Sequence, residues 1–194
     1  DSRLDPVTKS CLSSAKHWED TSMKLYLGDR TYSSWSLRAW IVAELSGLEI
    51  DYVFVDFSDD AGVAAQLGDL APARTVPTLV TDDGAIVSDS LALAAELASR
   101  APNAGLWPED TKARAIARTL ASEMHAGFSA LRSECPMNLR LAYKDVPVSE
   151  AVLADLARLE TVWTFALEAT GGPWLGGTYS IADAFYAPVA ARIA

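Results

Sequence analysis

The stretch Thr75-Val76-Pro77-Thr78-Leu79 puts a proline at the mouth of an apolar, β-prone run. Proline has no N–H to give a strand ladder and is excluded from strand interiors. Pro77 therefore reads as the opening of a strand, with Val76 held extended before it and its own N–H and C=O left free. Two readings follow. Pro77 simply starts an edge strand, or the free groups of Val76 bind an extended peptide. The Val76-Pro77 bond can itself be cis, because the trans preference before proline is only about 0.5–1 kcal/mol.

Downstream, residues 78–81, the turn Asp82-Asp83-Gly84 and residues 85–87 read as a β-hairpin, with Asp-Gly supplying the positive-φ positions. Ser88 or Asp89 can cap the helix that follows, whose apolar face carries Leu91, Leu93, Ala94, Leu97 and Ala98 up to about Arg100. Upstream, Met23-Lys24-Leu25-Tyr26-Leu27 alternates as a strand and ends at Gly28. Ser33 or Ser34 is a reasonable N-cap for an amphipathic helix over 37–45 that closes at Gly47, and residues 51–55 follow as a second strand. This unit is long enough for a right-handed parallel crossover. With a short helix in the poorly patterned residues 58–70, the order β-α-β-α-β-β-α gives a small α/β lobe on a mixed four-stranded sheet over 23–101.

Residues 102–108 are a Pro- and Gly-containing linker, and everything after them reads as helix. One helix is expected from about Glu109 to before Pro136, a second over 149–170 and a third from Ser180. Ser180-Ile181-Ala182-Asp183 is a capping box with Asp in place of the more usual Glu. Residues 1–22 are polar, mixed in charge and without sustained periodicity, so they read as an extension outside the fold.

Half of the 194 residues are apolar, which suits one compact domain or two small lobes sharing an interface. The net charge of −10, with a pI near 4.6, repels phosphate backbones and anionic membrane surfaces, so nucleic acid is an unsuitable partner. No segment approaches an uninterrupted membrane span, and a soluble, cytoplasmic protein is expected. Cys11 and Cys135 match no metal spacing and make no disulfide framework, while His17 and His125 lie far apart in sequence, so no metal is expected.

The order of elements, the Val-Pro turn and the capping box together resemble the glutathione transferase family from Met23 to the end of the chain. Residues 75–79 look like that family's cis-proline turn, Asp89-Ser90 like its acidic-serine pair, and residues 180–183 like its helix-capping motif. The resemblance implies a thioredoxin-like α/β lobe over 23–101 followed by an all-α helical lobe over 109–194. It also implies glutathione as co-substrate and a homodimer. The chain stops where family members usually continue with further helices, so the helical lobe is expected to be incomplete.

The chemistry of these residues suits an extended tripeptide. Val76 beside Pro77 could pair with the cysteinyl backbone by strand addition. Asp89 offers an acceptor to the γ-glutamyl ammonium, while Ser90 and the N–H groups of the helix it opens can hold the carboxylate. The simpler alternative is that Asp89 and Ser90 only cap the helix. A thiol of pKa about 8.5 is mostly protonated at neutral pH, so donors must face the sulfur. Tyr32-Ser33-Ser34-Trp35-Ser36-Leu37-Arg38 opens the first helix, where a hydroxyl and free N–H groups can stabilise a thiolate. Ser33 is the first choice, Ser34 the second and Tyr32 a competing hydroxyl. The stretch resembles the Ser-Ser-Cys motif of the zeta class, but Trp35 stands where that class has cysteine, which weakens any carry-over of isomerase chemistry.

For the electrophile, Met124, His125 and Phe128 could line an apolar pocket between the lobes, and Arg132 could meet an anionic substrate. The alternative is ordinary helix packing for the first three and a solvated arginine. Trp107 and Trp174 read as packing residues at lobe edges. The leading expectation is an enzyme that adds the glutathione thiolate to a small electrophile. The alternatives are a zeta-like cis-trans isomerase and a non-catalytic glutathione-binding or assembly protein of the same fold.

Overall fold

The computed structural model describes residues 22–144 and 146–194, so all of the expected N-terminal extension except Ser22 lies outside the described residues. Among the described residues the elements run β1 (Met23–Leu27), α1 (Ser34–Ser46), β2 (Ile50–Phe54), α2 (Gly62–Gln66), a 3-10 turn (Gly68–Leu70), β3 (Thr78–Val80), β4 (Ile86–Val87) and α3 (Ser90–Arg100). The helical part follows as α4 (Thr111–Ala126), α5 (Ser129–Glu134), α6 (Glu150–Thr170) and α7 (Ile181–Ile193). The sheet order is β2-β1-β3-β4, with β1 parallel to β2 and antiparallel to β3, and β3 antiparallel to β4.

β3 is therefore an interior strand, and Pro77 precedes it rather than opening a sheet edge. The Val76-Pro77 peptide bond is cis, as is Ala71-Pro72. The hairpin also differs from expectation: within its turn only Gly84 takes a positive φ, at 84°. Thr81 N–H donates to Ala85 O (3.0 Å) and Gly84 N–H to Thr81 O (2.9 Å), the pattern of a three-residue loop whose last residue is left-handed.

Both lobes share one apolar core. Leu25, Val42, Leu79, Leu93 and Leu97 of the α/β part are fully buried and belong to the same cluster as Leu120, Ile181, Phe185 and Val189 of the helical part. Each such side chain contributes about 1.5–3 kcal/mol of burial, so the junction between the lobes is held by the same kind of apolar packing as either interior.

The helix expected from Glu109 to before Pro136 is two helices. Gly127 ends α4 with its N–H on Glu123 O (2.7 Å), and a Cβ there would sit 2.8 Å from that same oxygen. Phe128 then takes φ 56° and ψ 40°, which turns the chain into α5. Arg132 Nη1 covers the freed carbonyls of His125 and Gly127, both at 3.2 Å.

α7 starts at the expected capping box. Asp183 Oδ2 accepts the Ser180 N–H (2.9 Å) and the Ser180 hydroxyl (3.1 Å), while Oδ1 accepts the Leu175 N–H (2.9 Å). One buried carboxylate thus fixes both the helix start and the loop before it. No helix of the described residues is long and apolar enough to cross a membrane.

Candidate functional site

The sheet register brings three short segments to one end of the α/β lobe. Tyr26 pairs with Thr78 and Leu79 with Val87. Continuing both registers sets Val76 and Pro77 level with Gly28 and Leu27 on one side and with Ser90 and Asp89 on the other. Residues 28–33, which lead from β1 into α1, lie at that same end. Sequence positions more than sixty residues apart therefore meet because strand pairing leaves them no other place.

Each segment offers its own groups. In the first, Asp29 O accepts the N–H groups of Tyr32 (3.2 Å) and Ser33 (2.8 Å), shaping the turn into α1. The Thr31 backbone N–H bonded to Asp29 Oδ1 (2.7 Å) holds that carboxyl below its usual range. Ser33 is the N-cap: its Oγ accepts the Ser36 N–H (3.2 Å) and donates to Ser36 Oγ (3.0 Å). Ser36, fully buried, also accepts the Gly28 N–H (3.0 Å). The Ser33 hydroxyl is thus spent within the protein. Ser34, nearly buried, has no side-chain partner among the described residues, and the N–H groups of Ser34 and Trp35 take no acceptor there. Tyr32 is half exposed.

In the second segment, the backbone N–H and C=O of Val76 take no partner among the described residues, and the side chain leans on the small cluster of Val55, Leu67, Leu70 and Val80. In the third, Asp89 caps α3 with Oδ1, which accepts from Leu91 N–H (2.8 Å) and Ala92 N–H (3.0 Å). Its Oδ2 lies 3.4 Å from His125 Nε2. Ser90 Oγ is buried without a partner. Capping and an open acceptor coexist on Asp89 because the carboxylate has two oxygens.

From the helical lobe, α4 and α5 bring His125 and Arg132 against Trp35. The rings of His125 and Trp35 meet edge to face at 5.3 Å, and the Arg132 guanidinium lies 5.0 Å from the Trp35 centroid. Burial lowers the His125 pKa, with Arg38 and Arg132 adding to the effect and Asp89 opposing it. Burial likewise lowers that of Arg132. Met124 is buried and accepts Arg38 Nη1 on its sulfur (3.2 Å). Phe128 does not join this group. It is buried against Tyr186 of α7, ring centroids 6.0 Å apart, because its left-handed backbone turns the side chain into the helical core. Trp107 lies under the Arg118 guanidinium, while Trp174 meets Tyr179 edge to face but is 45% exposed, so it is not the packing residue expected. Three grooves, of about 480, 460 and 410 Å³, open elsewhere, around Trp107, around Tyr143 and around Trp174.

Two members of the cluster do not stand out from sequence as site residues. Trp35 shows there only as a departure from a cysteine, and Arg38 only as part of a helix. The signal was available: residues 34, 38 and 42 share one face of α1, Val42 is fully buried, and an arginine on such a stripe has to be satisfied inside the protein.

Residues 32–100 match the family model described as "Glutathione S-transferase, N-terminal domain". Maleylacetoacetate isomerase of Rattus norvegicus is 28% identical over 172 residues, which is 87% of this chain and 76% of the rat protein. Among solved structures, glutathione transferase Omega 2S from Trametes versicolor superposes with a TM-score of 0.68 at 23% identity, covering 89% of this chain and 72% of the fungal one. A Burkholderia glutathione transferase homologue, solved with bound glutathione, superposes with a TM-score of 0.65 at 24% identity, covering 89% and 80%.

Proposed function

The chain belongs to the glutathione S-transferase family, and from that premise we propose that it binds glutathione at the shared end of the sheet and adds the thiolate to a small electrophile. Val76 pairs through its free N–H and C=O with the cysteinyl backbone of the tripeptide. Asp89 Oδ2 accepts the γ-glutamyl ammonium, taking a place now facing His125, and Ser90 holds the carboxylate with its unpartnered Oγ at the start of α3. The Ser34 hydroxyl, with the free N–H groups of Ser34 and Trp35, holds the sulfur as thiolate. Ser33 keeps its capping bond.

The S–H proton leaves to water, the sulfur attacks the electrophilic carbon, and a leaving group departs with the displaced electron pair. The electrophile lies against Trp35, His125 and Arg132, with Met124 behind them. The observation that carries this reading is the register, which sets Val76, Asp89-Ser90 and the start of α1 at one end of the sheet. The match to the rat isomerase over most of the chain favours a second reading, in which the thiolate adds to a double bond, rotation follows, and elimination returns glutathione. The same site serves both. The protein acts as a cytoplasmic homodimer in either reading, which sedimentation of the purified chain checks for the dimer.

Glutathione binding by calorimetry, followed by turnover of a generic aryl halide and of a maleyl substrate, separates the outcomes. Conjugation supports the transferase, glutathione-dependent isomerisation supports the second reading, and binding without turnover of either refutes both.

A further inference from the structure

The least compensated charge among the described residues is Arg38. Its side chain has no exposed surface. Its one polar contact is the 3.2 Å bond from Nη1 to the sulfur of Met124, and a thioether is a weak acceptor. Nε and Nη2 have no partner. The guanidinium carbon lies 4.2 Å from the Trp35 ring centroid and 4.8 Å from that of Phe185. No carboxylate of the described residues is within ion-pairing distance. The charged groups acting on it are Arg132 of α5 and Arg192 of α7, which repel it, and Asp89 at the start of α3, which attracts it; His125 of α4 feels its field in turn.

A buried cation without an anion is costly, and an apolar side chain of the same length would fill the space at less expense. In a chain of net charge −10 the missing carboxylate is not for want of acids. The arrangement lacks an anion that arrives from outside. Roofed by Trp35, Met124 and Phe185, the guanidinium offers no surface that a ligand atom can touch. It can act only through its field. Arg38 stands four residues after Ser34, so both lie on one face of α1 and the charge backs the first turn of that helix.

We propose that Arg38 is the buried countercharge of the glutathione thiolate, making the bound thiol more acidic across the Trp35 ring. This rests on the glutathione reading above. The S–H bond breaks, the electron pair stays on sulfur and the proton goes to water, while Arg38 keeps its own proton throughout. Burial draws the Arg38 pKa down to about 9, which leaves it charged at neutral pH. Ser34 supplies a directed hydrogen bond and Arg38 an undirected charge, so the two effects are separable.

The test uses R38M, neutral and of similar length, and R38K, which keeps the charge. Thiolate absorbance of the glutathione complex is followed against pH, together with the pH profile of aryl halide conjugation. R38M is expected to raise the bound thiol pKa by about one unit, an approximately tenfold loss of rate on the acidic side that closes at high pH. The KM for glutathione should stay within about twofold, and R38K should restore most of the profile. R38Q, also neutral, gives the same reading should R38M not fold. An unshifted thiol pKa in a neutral variant that binds glutathione, or a loss confined to KM, overturns the proposal while leaving the glutathione reading intact. A wild-type protein that does not bind glutathione overturns both.

Discussion

Exchanging Ser33 and Ser34 for alanine separates two roles that lie one residue apart. Ser33 caps α1 and bonds to the buried Ser36, so S33A removes an N-cap worth about 1 kcal/mol, up to about 2 with the second bond. For a chain of this length that lowers the melting temperature by about 3–6 °C. Ser34 has no such partner, and S34A is expected to melt within about 1 °C of the wild type. Activity should follow the opposite order. A hydrogen bond to a charged acceptor is worth about 1.5–3 kcal/mol, so losing the Ser34 donor reduces thiolate-dependent conjugation about 10- to 150-fold below the thiol pKa. S33A, assayed well below its melting temperature, should keep most of its rate. The assay pairs thermal denaturation with aryl halide conjugation across pH. An S34A protein within about twofold of wild type, beside an S33A protein that is folded and inactive, would refute the assignment and return the donor role to the cap.

Three further outcomes follow from the same geometry. D89N keeps an oxygen for the α3 cap but loses the charge facing the ligand ammonium, so its melting temperature should hold while the glutathione dissociation constant rises about tenfold by calorimetry; unchanged affinity would contradict the contact. D183A strands the buried N–H groups of Leu175 and Ser180 at about 1–3 kcal/mol each, and urea denaturation should show a loss of about 3–5 kcal/mol; a loss under about 1 kcal/mol would mean the loop and α7 hold without it. His125 has a folded pKa below its ordinary value of 6.5, so the unfolded chain binds its proton more readily. Stability from this group is present above that value and is lost as pH falls through about 6.5. H125Q should flatten the fall in urea midpoint between about pH 7.5 and 5.5, and an equal slope in both proteins would place the titration elsewhere.

Much of the α/β lobe was legible because local chemistry and tertiary need agree there. The alternation of Met23-Lys24-Leu25-Tyr26-Leu27, the cap at Ser33 with Gly47 closing α1, and the Asp89 cap all stand where the pattern puts them. The break of the long helix was not legible, because neither Gly127 nor Phe128 is a strong stop by itself. The turn exists because a Cβ at 127 would meet the Glu123 carbonyl and because Phe128 is drawn into the helical core beside Tyr186. That same turn removed Phe128 from the lobe junction. The candidate site divided along the same line. Segments joined by strand register could be grouped from sequence once the fold was recognised, whereas His125, Arg132 and Met124 meet Trp35 and Arg38 of α1 only because the helical lobe docks on that helix. The sequence order of a helix shows which face a residue takes, but not what the opposite lobe sets against it.

The most direct measurement is a crystal structure of the protein with glutathione. The account predicts the cysteinyl backbone paired on Val76, the γ-glutamyl carboxylate on Ser90, the ammonium on Asp89 in place of His125, and the sulfur within hydrogen-bonding distance of Ser34 Oγ. A tripeptide bound away from this end of the sheet, or a sulfur facing Tyr32 with Ser34 empty-handed, would contradict it.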